Sequence, residues 1–165
     1  MSRAYIGLGS NLHHPEKNII SAIQSFRALP STLNCRSSSF YLTEPQGFAD
    51  QNDFINAVIE LDTTLTPEEL LDACLTIEKQ HHRVRLMRNG PRILDCDILL
   101  YDDLILKTAG LTVPHPRLHE RLFVLVPLLE LVGKIEIPHH GHLSHCQEKI
   151  TNQGIRLIEG QIIFA

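Results

Sequence analysis

Between Phe54 and Leu61 the chain alternates without a slip: Ile55, Ala57, Ile59 and Leu61 fall on one side, Phe54, Asn56, Val58 and Glu60 on the other. A period of two is the repeat of a β-strand, and one apolar row beside one mixed row places that strand, predicted over 53–62, in a sheet whose two faces differ. The flanking segments supply its partners. Ala4 to Gly9 reads as a strand running into Gly9, Ser10 and Asn11, residues that turn a chain and cap helices. From Pro15 to Leu29, the residues Ile19, Ile23 and Phe26 recur at helical spacing. Leu33 to Thr43 is a further strand, separated from the alternating one by the turn-rich stretch Glu44 to Gln51. Thr66 and Glu69 form a capping box around Pro67 and start a helix that runs to about His82, with Leu70, Cys74 and Ile77 as its buried stripe. Leu94 to Tyr101 is a fourth strand, with Leu94, Cys96, Ile98 and Leu100 facing one way and Asp95, Asp97 and Leu99 the other.

The order β-α-β-β-α-β specifies an α+β, ferredoxin-like fold: an antiparallel sheet with both helices on one face. Beyond the turn at Asp102 and Asp103, a C-terminal helix is predicted over about Pro116 to Val132, kinked or divided at Pro127, and then short strands and turns from Gly133 to Ala165. At 165 residues the chain is expected to form a single domain, 1–165. A net charge of −4 provides no general field for polyanions, so neither a nucleic acid nor an anionic membrane is an expected partner. No apolar run reaches the ~18 residues of a membrane span, and Met1 to Asn11 lacks the pattern of a leader. A cytoplasmic monomer acting on small molecules is expected. Cys35, Cys74, Cys96 and Cys146 contain no C-x-x-C pair and read as reduced, structural thiols.

Right-handed crossovers put the alternating strand beside the first strand and the fourth strand on its other side. The starts of those two flanking strands, carrying Phe54, Asn56, Asp95 and Asp97, then meet at the end of the first, about 10 Å apart. Asp95 and Asp97, at i and i+2 with Cα atoms roughly 7 Å apart, suit one or two hard cations such as magnesium, which takes few protein carboxylates. Pairing with nearby arginines is the alternative. Six of the ten arginines (Arg83, Arg85, Arg88, Arg92, Arg117 and Arg121) flank this strand. They suit a magnesium-polyphosphate ligand or simply balance Asp95, Asp97, Asp102 and Asp103. His115, between Pro114 and Pro116, is either a phosphate donor or a surface histidine. Phe54 and Phe123 are core or ring-stacking aromatics, and Phe54 beside Asn56 suits the face and edge of a flat heterocycle. Gly7-Leu8-Gly9 lacks the third glycine of a dinucleotide fingerprint and reads as a tight strand end. His139, His140, His142, His145 and Cys146 lack the spacing of a physiological metal site and suit adventitious metal only.

Several stretches together resemble the 6-hydroxymethyl-7,8-dihydropterin pyrophosphokinases of folate biosynthesis. They are Tyr5 to Asn11, Thr43-Glu44-Pro45-Gln46-Gly47, Phe54-Ile55-Asn56-Ala57, Arg83-Val84-Arg85, Gly90 to Leu99 with its Asp95-Cys96-Asp97, and Val113 to Arg121. The resemblance implies transfer of the diphosphoryl group of ATP to the pterin's hydroxymethyl oxygen, with AMP released and two magnesium ions (Mg2+) held by Asp95 and Asp97. It implies that Arg83, Arg92, His115 and Arg121 contact the phosphates, that Arg85 and Arg88 belong to a loop closing over ATP, and that Glu78, Ile98 and Thr112 surround the nucleoside. Phe54 and Phe123 would sandwich the pterin, Asn56 and the segment Thr43, Pro45, Gln46 and Gly47 would read its edge, and Asp95 would lie near the hydroxymethyl group. Asn89 stands where many members carry tryptophan, in a loop one residue shorter, and Pro116 stands where some carry an aromatic. Two other classes fit the residues alone: a non-catalytic nucleotide-binding module on the same fold, and a magnesium-dependent phosphohydrolase with water as nucleophile.

Overall fold

A computed structural model describes residues 1–44, 51–81, 93–133, 135–137, 141–150 and 153–158. The chain runs β1 (Ser2–Ser10), α1 (Pro15–Ala28), β2 (Thr32–Ser37), β3 (Phe40–Thr43), β4 (Phe54–Thr63), α2 (Pro67–His81) and β5 (Asp95–Tyr101). There follow β6 (Leu106–Lys107), β7 (Thr112–Val113), a 3-10 turn (Leu118–Glu120), α3 (Leu122–Val132), β8 (Glu136–Ile137), β9 (Gly141–His142), α4 (Leu143–Glu148) and β10 (Ile155–Ile158). Among the described residues no helix is long and apolar enough to cross a membrane.

The main sheet has six strands in the order β10-β3-β4-β1-β5, with β2 also on β4, and every pairing is antiparallel. β1 is therefore central, with β4 and β5 on its flanks, as the crossover rule requires. One face carries α1 and α2: Ile19, Ile23, Phe26, Leu70, Cys74 and Ile77 pack against Ile6, Ile55, Ile59 and Leu61. Each such fully buried aliphatic or aromatic side chain contributes about 1.5–3 kcal/mol. The capping box forms as the spacing predicts: the Thr66 N–H donates to Glu69 Oε1 at 2.9 Å, and the Glu69 N–H donates to Thr66 Oγ1 at 3.2 Å.

The other face is only partly open, because α3 and α4 lay Leu125, Leu128 and Leu143 over Tyr5, Val58 and Leu99. Four local expectations are corrected. The predicted strand Leu33 to Thr43 is two strands: pairing of Ser37 with Ile59 and Tyr41 with Asn56 leaves Ser38, Ser39 and Phe40 opposite Ala57 and Val58. There the Ser38 hydroxyl takes the Val58 N–H at 2.9 Å in place of a carbonyl. In β5 the partner of Tyr5 is Leu100 while that of Ile6 is Ile98. The extra residue, Leu99, is a bulge that turns Leu100 to the α3 face instead of the α1–α2 face. The helix expected from Pro116 is a 3-10 turn followed by α3, separated by the extended Arg121 (φ −121°, ψ 112°). Pro127 sits inside α3 without dividing it, at the cost of the one N–H its ring lacks. The tail, expected as strands and turns, also contains the short helix α4.

Candidate active site

The register across the centre of the sheet builds the site. Asn56 of β4, Gly9 of β1 and Asp95 of β5 form one row of direct partners, and Val58, Gly7 and Asp97 form the next. Side chains in such rows share a face. Because the central member of both rows is glycine, no β1 side chain stands between the β4 side chains and the β5 carboxylates, two strand spacings or about 10 Å away. A Cβ on Gly9 would lie 2.9 Å from Asn56 Oδ1, and one on Gly7 would lie 3.4 Å from Leu99 Cδ2. The gap is the floor of a cavity of about 130 Å³, whose walls include Thr43, Phe54 and Asn56 on one side and Asp95, Asp97, His115, Arg121 and Phe123 on the others.

The end of β1 holds the two flanking strands in place. Ser10 and Asn11 are buried, and they do not cap α1, whose N-cap His14 makes no side-chain cap bond. Instead Asn11 Nδ2 donates to Gln51 Oε1 at 2.8 Å and to the Asn52 carbonyl at 2.9 Å, just ahead of Phe54. The Ser10 hydroxyl donates to the Ile93 carbonyl, two residues before Asp95, and Asn18 Nδ2 reaches the same carbonyl at 3.3 Å.

On the β4 side, Asn56 Nδ2 donates to Thr43 Oγ1 at 2.6 Å inside the protein, which fixes the plane of the amide beside half-buried Phe54. Opposite, Phe123 enters from the first turn of α3 and carries the Arg121 guanidinium 5.4 Å above its ring centroid. Arg121 Nε is buried and has no hydrogen-bond partner among the described residues. Burial and then Arg117 lower the Arg121 pKa, while Asp97, Glu120 and Asp95 pull it back up. An arginine stays charged under such shifts, so the cavity wall holds a half-buried cation whose Nε is turned inward.

The His115 N–H donates to the Leu99 carbonyl at 2.9 Å, and His115 Nδ1 accepts the Arg117 N–H at 3.2 Å. With Nδ1 accepting, the neutral ring carries its proton on Nε2. Burial first, then Arg121 and Arg117, push the His115 pKa from 6.5 to about 4. At neutral pH His115 is thus an uncharged donor.

Asp95 and Asp97 share a face of β5. Among the described residues no group of three or more His, Cys, Asp and Glu side chains gathers to hold a metal. Glu78, Ile98 and Thr112 do not line the cavity. Glu78 Oε2 accepts the Cys96 N–H at 2.8 Å from α2, Ile98 is buried in the α1–α2 core with the core-facing Cys96, and Thr112 lies on β7. Pro45, Gln46, Gly47, Arg83, Arg85, Arg88, Asn89 and Arg92, and with them the expected loop closing over ATP, lie outside the described residues, as do His139 and His140.

Sequence reasoning missed Leu8, Ala57, Leu99, Val124 and the two glycines among the lining residues. The glycines are not a tight strand end, since both are paired on either side within β1. The available signal was their i, i+2 spacing inside a strand, which marks one face stripped of side chains.

Residues 5–133 match the family described as 7,8-dihydro-6-hydroxymethylpterin-pyrophosphokinase. The 2-amino-4-hydroxy-6-hydroxymethyldihydropteridine pyrophosphokinase of Pseudomonas aeruginosa is 41% identical over 160 residues, covering 97% of this chain and 99% of that protein. The protein of the same name from Haemophilus influenzae is 44% identical over 139 residues, 84% of this chain and 87% of its own length. In fold, the Plasmodium falciparum HPPK-DHPS structure superposes with a TM-score of 0.63 at 14% identity; the match covers 90% of this chain and 43% of that longer one. The matched residues 5–133 include the glycine rows, the paired aspartates and the His115–Phe123 wall, and the chain belongs to the 7,8-dihydro-6-hydroxymethylpterin-pyrophosphokinase family.

Proposed function

We propose that the chain transfers the diphosphoryl group of ATP to the hydroxymethyl oxygen of 6-hydroxymethyl-7,8-dihydropterin, a step of folate biosynthesis. The hydroxymethyl oxygen attacks the β-phosphorus, the bond from that phosphorus to the oxygen of the α-phosphate breaks, AMP leaves with that oxygen, and the hydroxyl proton passes to water. The observation that carries this reading is the Asn56–Gly9–Asp95 row. It sets the Asn56 amide on one side of a bare glycine and the Asp95 carboxylate on the other, with Phe54 two residues before the amide on β4 and Asp97 in the neighbouring row.

Phe54 and Phe123 flank the pterin, and the Asn56 amide, held by Thr43, reads its edge together with the segment through Pro45, Gln46 and Gly47. The cavity of about 130 Å³ is below the roughly 300–1,000 Å³ of pockets that swallow a drug-sized ligand, so it holds the ring while the triphosphate lies over its mouth. There Arg83, Arg92, His115 and Arg121 bind and orient the phosphates, with Arg85 and Arg88 nearby, and the nucleoside lies outside the cavity towards Glu78, Ile98 and Thr112, none of which lines it. The Asp95 and Asp97 pair fits magnesium, which when bound would neutralise triphosphate charge and polarise the phosphorus. Positioning and charge neutralisation suffice for this chemistry, and no strong nucleophile is needed.

The test follows nucleotide products with ATP, hydroxymethyl-dihydropterin and magnesium each omitted in turn. AMP formed only when all three are present is the expected result. ATP bound but unchanged, or ADP or AMP made without the pterin, would overturn the reading in favour of a binding module or a hydrolase.

A further inference from the structure

We infer that Gln153, in the C-terminal segment beyond the family match, is a positioning residue that clamps the backbone on either side of Arg121 and so fixes that guanidinium over the site. The inference rests on the proposed phosphate-binding role of Arg121. The first helical N–H of α3 has no cap from its own chain end: Arg121 is the N-cap residue and makes no side-chain cap bond. The Leu122 N–H instead donates to Gln153 Oε1 at 3.0 Å, and Gln153 Nε2 donates to the Glu120 carbonyl at 2.8 Å. One amide thereby bridges the residues before and after Arg121, and only a side chain carrying both an acceptor and a donor can do so.

The clamp is itself anchored at the opposite wall. Ile155, two residues on, pairs with Thr43, and Gly154 lies against the Glu44 carboxylate, where a Cβ would approach Oε1 to 3.4 Å. Thr43 and Glu44 both line the cavity. The segment 153–155 thus spans from the Asn56–Thr43 side, which holds the ring, to Arg121, which faces the phosphates, and sets their separation. Without the clamp, the extended Arg121 between the 3-10 turn and α3 loses the two bonds that bracket it, and its buried Nε is no longer held in place for an anion.

The test compares full-length wild-type enzyme with Gln153→Met, which removes both bonds, and Gln153→Glu, which keeps the acceptor and favours a helix N-terminus but loses the donor. Each change is also made in an Arg121→Met background. Steady-state AMP formation gives kcat and both KM values, calorimetric titration gives ATP affinity, and thermal melts report folding. Losing two ordinary hydrogen bonds is expected to raise the KM for ATP by about tenfold in Gln153→Met, with a smaller change in the KM for pterin. The same change in the Arg121→Met background is expected to alter ATP affinity by less than about twofold. Gln153→Glu is expected to melt near wild type yet keep the raised KM for ATP. An ATP KM at the wild-type value in an AMP-forming Gln153→Met variant, or an equal loss in both backgrounds, overturns the clamp alone. Wild-type enzyme that makes no AMP overturns the functional reading on which the clamp depends.

Discussion

The two halves of β1 present opposite answers to the same sheet face. In the first half, Arg3 donates to Asp62 at 2.9 Å and Tyr5 to Glu60 at 2.8 Å. Arg36 bonds Glu60 at 3.1 Å and reaches the Leu131 carbonyl at the end of α3 at 2.8 Å. Burial and the Glu60 bond push the Tyr5 hydroxyl up to about 12, so it remains a donor and the network stays shut. In the second half the equivalent positions are Gly7 and Gly9, and the flanking residues Asn56, Asp95 and Asp97 face a cavity. The site is therefore made by removing side chains from one half of a strand whose other half seals the fold. Changes in the open half should cost turnover, and changes in the sealed half should cost stability.

The largest effect is expected from Asp97→Ala, which should lower turnover by about two orders of magnitude or more, the scale of losing a major electrostatic element. Near-normal turnover under saturating magnesium would refute its role. Gly9→Ala comes next: its methyl group displaces the Asn56 amide, 2.9 Å away, and should raise the KM for pterin by about tenfold. Gly7→Ala meets only the end of a leucine at 3.4 Å and should change it by less than about threefold. Equal effects at the two glycines would break the row-by-row assignment. In the sealed half, Tyr5→Phe removes one of the two bonds to buried Glu60 and should cost about 1–2 kcal/mol in urea unfolding, with turnover within about twofold of wild type. A loss of turnover without a loss of stability would reverse the contrast.

The smallest expected effect is a pH dependence at the site. The folded His115 pKa, about 4, is below its ordinary 6.5, so the unfolded chain takes up the proton first as acid is added. The contribution of His115 to stability is complete above pH 6.5 and is lost as the pH falls toward 4. His115→Gln should flatten unfolding free energy against pH across that window, and an unchanged slope would contradict the neutral, half-buried imidazole.

Features set by local periodicity were legible from the residues alone. The two-residue repeat of β4 put Phe54 and Asn56 on one row, the capping box placed the start of α2, and the crossover rule put Asp95 and Asp97 across β1 from them. Features set by one extra residue or by tertiary docking were not. The Leu99 bulge sits in a run of apolar residues, where a shift of phase leaves no mark in composition. The break at Ser38 depends on a hydroxyl finding the Val58 N–H. Ser10 and Asn11 looked like a helix cap because their side chains are short and polar, yet the loops ahead of β4 and β5 claim them first. Gln153 carries no local signal, since its partners lie 31 and 33 residues away.

The central claim is that the ring bound against Phe54 and Asn56 presents its hydroxymethyl group to the Asp95–Asp97 side of the glycine gap. It is tested most directly with Mn2+ in place of magnesium, an ATP analogue that cannot react, and hydroxymethyl-dihydropterin, by measuring relaxation of the pterin's hydroxymethyl protons. Strong paramagnetic broadening of those protons, abolished by Asp97→Ala, is the predicted result. Bound pterin whose hydroxymethyl protons relax no faster with Mn2+ than without it would contradict the account.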